Sequence, residues 1–184
     1  MEQKSGKERP YQVVSSNIVF RGKILNIKHD LITAPDGGEM LREVVISHEA
    51  AAVVPVNEKG DIIFVRQYRH PAGKLVLEIP AGIIEEGEKP TDCAIRELRE
   101  ETGHNAVNIR YISGFHSTIG FCTEVIHLFI ADCVIGGSQK LDADEFVSVE
   151  IYTPQKALEM IKNGEIFDGK TIAGVLFYCR EKGI

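Results

Sequence analysis

The stretch Gly82-Ile83-Ile84-Glu85-Glu86-Gly87-Glu88, continued by Arg96-Glu97-Leu98-Arg99-Glu100-Glu101-Thr102-Gly103, decides how this chain is read. Pro90 suits a first helical turn and Gly103 suits a stop just beyond the last one, so the spacing predicts a helix from Pro90 to Thr102. At about 100° per residue, Glu97, Glu100 and Glu101 fall within one arc, about a quarter of the way round. Thr91, Ile95, Leu98 and Thr102 collect on a different face, which is expected to pack on a sheet. The helix therefore has a core side and a carboxylate side. Like charges four residues apart, such as Glu97 and Glu101, repel one another. A hard divalent cation removes that penalty, because magnesium takes oxygen ligands and is often held by a few carboxylates plus substrate phosphates. Gly82 lets the backbone pass close to such a site, with the Ala81 carbonyl directed inward. A surface helix held by salt bridges accounts for the same charges.

Outward from this segment the pattern is rich in strands. Leu75–Ile79 reads as a short strand running into Pro80-Ala81-Gly82. Ala50–Val56 and Asp61–Tyr68 are strands with continuous apolar runs, joined by a turn at Asn57-Glu58-Lys59-Gly60. From Val13 to Ser47 the runs are short and β-rich, with Asp36-Gly37-Gly38 as a hairpin turn. Residues 1–10 are a lead-in ending at Pro10. After the helix, Val107–His116 and Thr123–Val134 return to strand character. Residues 136–145 form a polar, acidic loop and Phe146–Ile151 alternates again. Pro154–Lys162 and Thr171–Arg180 read as the last helices. Mixed strands with a few helices indicate a domain of the α+β class or an α/β/α sandwich with a mixed sheet. An N-terminal β-rich segment, residues 1–47, is expected before a main domain at 48–184.

The bulk properties set limits. The 184 residues fit one globular domain with a short extra element. A net charge of −6 argues against nonspecific nucleic-acid binding, which needs clustered Lys and Arg. It leaves a nucleotide substrate open, since a metal ion supplies positive charge locally. No apolar run approaches the roughly 20 residues that span a bilayer, so no membrane partner is expected. Met1–Arg9 is charged and lacks a signal-peptide core. Cys93, Cys122, Cys133 and Cys179 are scattered, with no Cys-x-x-Cys pair. A cytoplasmic protein with buried thiols is expected.

The quoted stretch resembles the Nudix box, Gly-x5-Glu-x7-Arg-Glu-U-x-Glu-Glu-x-Gly-U, where U is a bulky apolar residue. Gly82, Glu88, Arg96, Glu97, Leu98, Glu100, Glu101 and Gly103 all fall in register, eight specified positions over 23 residues. His104 departs from the last U, a packing position. The likeness extends further. Val65-Arg66-Gln67-Tyr68-Arg69-His70, Leu77-Glu78-Ile79-Pro80-Ala81-Gly82 and Gly120-Phe121-Cys122-Thr123-Glu124-Val125-Ile126-His127 resemble the ADP-ribose pyrophosphatase branch. Roughly residues 15–180 share it.

The resemblance implies roles residue by residue. Glu97, Glu100 and Glu101, with the Ala81 carbonyl, would hold Mg2+, with Mn2+ as a substitute. Gly82, Glu88, Arg96 and Gly103 would be structural, with Glu88 and Arg96 fixing the loop to the helix. Arg42 and Arg69 become candidates for gripping phosphate, since guanidinium groups match its oxygens bidentately; a surface ion pair is the alternative for each, and weighs more for Arg42 than for Arg69. Glu78 would lie near the substrate or in the outer metal shell, or be an ordinary strand residue. The acidic loop Leu141–Phe146 resembles the loop that delivers a catalytic glutamate, here Glu145 beside Asp142 and Asp144; a solvated acidic loop reads the same way. Glu145, or Glu100 in the box, would activate the water.

The implied reaction is metal-assisted hydrolysis of the diphosphate of ADP-ribose, giving AMP and ribose 5-phosphate. Stacking of the base on Tyr11, Phe20 or Tyr68 and a homodimer exchanging N-terminal strands belong to the same analogy. Ile119 stands where the branch usually carries proline, which opens the range to GDP-mannose and other nucleoside diphosphate sugars. Two rival readings are an enzyme that sanitises oxidised nucleoside triphosphates and a Nudix-like module that senses nucleotides without cleaving them. The long N-terminal segment argues against the first. The full set of box glutamates argues against the second. His116, His127 and Cys93 read as packing residues.

Overall fold

Strand β4 (Ala50–Val56) shows how the sequence sets the layers. Its residues alternate between two apolar clusters, as a strand with period two must. Ala52, Val54 and Val56 join Leu128, Ile130, Val175 and Tyr178 on one side. Ala51 and Val53 join Ala94, Leu98 and Phe129 on the other. A strand buried on both faces is apolar throughout, and this one is.

The computed structural model describes residues 11–141 and 146–184. Residues 1–10, and with them the expected lead-in, lie outside the described residues, as do Asp142, Asp144 and Glu145 of the acidic loop. Before β4 come β1 (Gln12–Arg21), β2 (Asn26–Thr33) and β3 (Glu39–Ile46). After it follow β5 (Ile62–Arg69), a 3-10 turn (His70–Ala72), β6 (Lys74–Glu78), β7 (Ala81–Ile83) and helix α1 (Pro90–Thr102). The chain continues through β8 (His104–His116), β9 (Val125–Ile135), β10 (Ser148–Tyr152), α2 (Pro154–Lys162) and α3 (Gly169–Lys182).

The chain divides into two units. The first comprises residues 11–48 and Thr118–Glu124. It is an antiparallel β1-β2-β3 sheet, with Thr33 opposite Glu39 at the hairpin and Gly37 at φ 90° in the turn. The segment Thr118–Glu124 joins it through Val45 N donating to Phe121 O at 2.7 Å and Thr123 N donating to Val45 O at 3.0 Å.

The second unit, Glu49–Ser117 with Val125–Ile184, holds a seven-stranded mixed sheet. Its main path is β10-β5-β4-β9-β8, with β4 and β9 parallel. Helix α1 packs with the Ala51–Val53 face, and α2 and α3 pack on the other, giving the α/β/α layering that the sequence predicts. Beyond the Val56–Ile62 pair, β4 and β5 take different partners. β6 pairs with β5 from Val65–Glu78 to Arg69–Lys74, and β7 pairs with β4 from Ala50–Ile83 to Ala52–Ala81. Between them Val53 N donates to Pro80 O at 3.0 Å. This split in the sheet delivers Ala81 and Gly82 to α1.

Helix α1 has the predicted bounds, Pro90 in its first turn and Gly103 at φ 70° past its end. A Cβ on Gly103 would sit 2.6 Å from Gly137 O, so space as well as φ requires glycine. The core face differs from expectation. Cys93, Ala94, Leu98, Glu101 and Thr102 are buried, whereas Thr91 is exposed and Ile95 is 38% exposed. The buried arc is rotated by roughly 70° at 100° per residue, with Ala94 buried in place of Ile95 and Glu101 turned inward to the backbone N–H of Ala81. Strand β8 begins at His104, earlier than its apolar pattern suggests, because Gly103 reverses the chain directly into the His104–Ile135 pair. Strand β7 is too short to show a period.

Gly174 of α3 gives a test of this packing. A Cβ there would lie 2.6 Å from Val54 Cγ2. Glycine to alanine within a helix ordinarily stabilises by about 1 kcal/mol. Gly174→Ala is expected to destabilise by about 1–3 kcal/mol in urea unfolding, as overpacking does; a stabilised variant would contradict the packing.

Candidate active site

The site is built on the junction of β7, the loop 84–89 and α1. Arg96 holds it together. Its Nε donates to Glu88 Oε1 at 2.9 Å and its Nη2 to Glu88 Oε2 at 3.0 Å, a bidentate pair. Nη2 also reaches the Ile83 carbonyl at 3.1 Å. Glu88 in turn accepts from Glu85 N at 3.0 Å, which closes the loop on itself. The Arg96 guanidinium, followed by the Glu85 N–H, draws the Glu88 carboxyl down to about 2 despite partial burial, and Glu88 holds the Arg96 pKa above its ordinary value.

The remaining Arg96 nitrogen serves the carboxylates. Nη1 donates to Glu97 Oε1 at 2.5 Å and to Glu100 Oε2 at 3.3 Å. Glu101 is buried and accepts from Ala81 N at 3.2 Å. Glu97 lies flat against Gly82, whose absent Cβ would stand 1.8 Å from Glu97 Oε1. Glycine at 82 is therefore a requirement of close approach rather than of φ. Ala81, Gly82, Glu88, Arg96, Glu97, Glu100 and Glu101 are thus assembled in one place.

Among the described residues, no three acidic, His or Cys groups stand ready at metal-ligand spacing. Glu97 and Glu100 share Arg96 while Glu101 holds a backbone N–H, an arrangement that eases repulsion between neighbouring carboxylates. The donor set fits a hard divalent cation: three carboxylates within two helical turns, with the missing Cβ of Gly82 making room for that of Glu97.

Two further predicted residues adjoin this centre. Glu78 ends β6 with both oxygens taken by Arg69, Nε to Oε1 at 2.7 Å and Nη2 to Oε2 at 2.8 Å. Burial pushes the Glu78 carboxyl up, but hydrogen bonds and charge from Arg69 and Lys170 outweigh it and hold the pKa below the ordinary value. Glu78, and more weakly Glu101 and Asp168, raise that of Arg69. Arg42 lies on β3 in the other unit, opposite Asp30, with Nη2 at 2.7 Å from Met40 Sδ. Ile119 is exposed in Thr118–Glu124.

Sequence reading missed Lys170, whose Nζ contacts Glu78, and Asp168, which caps α3 by accepting from Thr171 N at 3.0 Å. The capping signal was present, since aspartate is a favoured N-cap whose side chain accepts an N–H of the first turn. The thiol of Cys93 packs beneath the loop, 3.5 Å from the Ile83 carbonyl, and burial raises its pKa to about 12. It is an inert packing group, not a nucleophile.

Two outcomes follow. In Gly82→Ala the new methyl meets the end of a flexible side chain, so the fold is expected to tolerate it while the Glu97 carboxylate is displaced. Turnover should fall by about tenfold or more, with little change in melting temperature; full activity would contradict the geometry. The Glu88–Arg96 pair contributes stability above the unfolded glutamate value of 4.5 and loses it as pH falls toward the folded value of about 2. Glu88→Gln should therefore flatten the stability-versus-pH curve between those limits.

A family model described as the NUDIX domain matches residues 46–175. The ADP-ribose pyrophosphatase of Bacillus subtilis (strain 168) is 36% identical over 168 residues, covering 90% of this chain and 91% of that one. The methanol dehydrogenase activator of Bacillus methanolicus is 36% identical over 177 residues, 94% of each chain. A GDP-mannose pyrophosphatase of Escherichia coli is 36% identical over 163 residues, covering 80% and 82%. Among solved structures, that of an ADP compounds hydrolase superposes with a TM-score of 0.86 at 18% identity, covering 97% of this chain and 98% of that one, which establishes likeness of fold.

Proposed function

The chain belongs to the NUDIX domain family, and from that premise we propose that it hydrolyses the diphosphate of ADP-ribose to AMP and ribose 5-phosphate. Related nucleoside diphosphate sugars are further substrates. The observation that carries this reading is the carboxylate set itself: Glu97 lies against Gly82 and, with Glu100, is fastened through Arg96 to Glu88, while Glu101 accepts from Ala81 N.

Glu97, Glu100, Glu101 and the Ala81 carbonyl are the residues that would hold the divalent cation, Mg2+ by preference and Mn2+ as a substitute. When bound, such a cation lowers the pKa of a coordinated water and neutralises charge on phosphate oxygens. The protein's own part is positioning. Arg69 offers a guanidinium next to the carboxylate centre, and Arg42 is the second candidate for the phosphates. Glu145 or Glu100 takes the proton from the attacking water. GDP-mannose is the main competing substrate, favoured by Ile119 in place of proline and by the GDP-mannose pyrophosphatase among the relatives. A homodimer formed through the first unit belongs to the same reading, supported by exposed Val13, Val14, Ile18, Val19 and Phe20 on β1.

The test is a panel of ADP-ribose, GDP-mannose, NADH, diadenosine polyphosphates and nucleoside triphosphates, incubated with Mg2+ and followed by nucleoside monophosphate release. ADP-ribose or another nucleotide sugar should be cleaved best, and Glu101→Gln should lower kcat by about a hundredfold or more, as loss of a metal-binding carboxylate does. Preferential cleavage of triphosphates, or an undiminished Glu101→Gln variant, would overturn the assignment.

A further inference from the structure

Beside the box lies a second charged cluster, of which the reaction as described uses only Arg69. Glu78, Arg69, Asp168 and Lys170 line an open cleft together with Val76 and Phe167. The Glu78 side chain is only 2% exposed, a rare place for a carboxylate unless it is paired. Besides the two bonds from Arg69, its Oε2 accepts from Lys170 Nζ. Lys170, itself 12% exposed, also reaches Asp168 Oδ2 at 3.0 Å. That oxygen takes the Thr171 N–H at 3.0 Å and the Thr171 hydroxyl at 2.6 Å, and the same hydroxyl accepts from Ile79 N at 2.9 Å. The first turn of α3 thus grips Glu78 and Ile79, just ahead of Ala81 in the chain.

Both oxygens of Glu78 are already committed to cations, which leaves it poorly suited to an outer metal shell. Its bidentate partner is better placed. Arg69 is held through the Nε–Nη2 edge, its side chain is 44% exposed, and Nη1 has no hydrogen-bond partner among the described residues. The guanidinium also stands close enough to Glu101 to feel its charge. Two cations and two anions balance within the cluster. Removing Lys170 would leave a buried carboxylate with one cation and freedom to turn.

We propose that Lys170 is a positioning residue for Arg69: it fixes the Glu78 carboxylate on which the guanidinium is laid, so that the outer edge of Arg69 meets the substrate's diphosphate. This rests on the diphosphatase reading. A planar fork must be aimed to bind phosphate bidentately, and a misplacement of about 1 Å in such a positioning group can cost up to about a hundredfold in rate. Lys170 acts through Glu78 and Arg69 and touches no reacting atom.

The experiment measures calorimetric affinity for α,β-methylene ADP-ribose, a non-hydrolysable diphosphate, in the presence of Mg2+. Wild type, Lys170→Met, Lys170→Arg, Arg69→Ala and the Arg69→Ala/Lys170→Met double variant are compared, with turnover of ADP-ribose recorded alongside. Lys170→Met should bind about tenfold more weakly, Lys170→Arg should recover most of the loss, and Lys170→Met should add less than about twofold once Arg69 is gone. Lys170→Gln, which keeps a donor within reach of Glu78, replaces the Met variant if that one fails to fold and should show an intermediate loss. Unchanged affinity in Lys170→Met, or the same loss with and without Arg69, would overturn the proposal. Binding without turnover in wild type would instead defeat the hydrolase reading and leave the Lys170 test intact.

Discussion

The site depends first on where the Arg96 guanidinium is held. Two carboxylate oxygens of Glu88 and the Ile83 carbonyl fix it. From that anchor its third nitrogen sets Glu97 and Glu100, and the loop it fastens brings Gly82 against Glu97. An arginine suits this work because its donors form a rigid fork that stays charged. A lysine would supply one point of charge and could not hold the loop and two helix carboxylates at once. Breaking such a partly buried pair leaves charge without compensation.

The sheet supplies the other half. β4 and β5 part beyond their hairpin, and the segment from Lys74 to Ile83 fills the gap, with β6 on one strand and β7 on the other. That arrangement places Glu78, Ala81 and Gly82 along one short run, between α1 on one face and the start of α3 on the other. The same α1 turn that buries Leu98 also buries Glu101, so packing and site geometry are one constraint. Leu98 is anchored among Ala51, Val53 and Phe129, and rotation of the helix would move the carboxylates with it.

Much of this was legible in the residues, for reasons that can be stated. The bounds of α1 follow from Pro90 and Gly103, and the layering follows from the two-sided apolar character of β4 and β5. The carboxylate arc of Glu97, Glu100 and Glu101 follows from helical spacing alone. The core face of α1 was misjudged because spacing ranks Ile95 above Ala94, whereas the buried position goes to the small residue that the sheet admits. Strand β7 escaped because three residues carry no period. The Lys170 contact escaped because it joins residues 92 apart in the chain, and neither partner bears a local mark of the other.

Function as proposed turns on the three box glutamates acting as a divalent-cation site. Electron paramagnetic resonance titration of Mn2+ into the protein with α,β-methylene ADP-ribose, for wild type, Glu97→Gln and Glu101→Gln, tests it most directly. Wild type is expected to bind Mn2+, with affinity weakened by about tenfold or more in each variant, as when a hard cation loses an anionic ligand. Equal Mn2+ binding in all three proteins would contradict it.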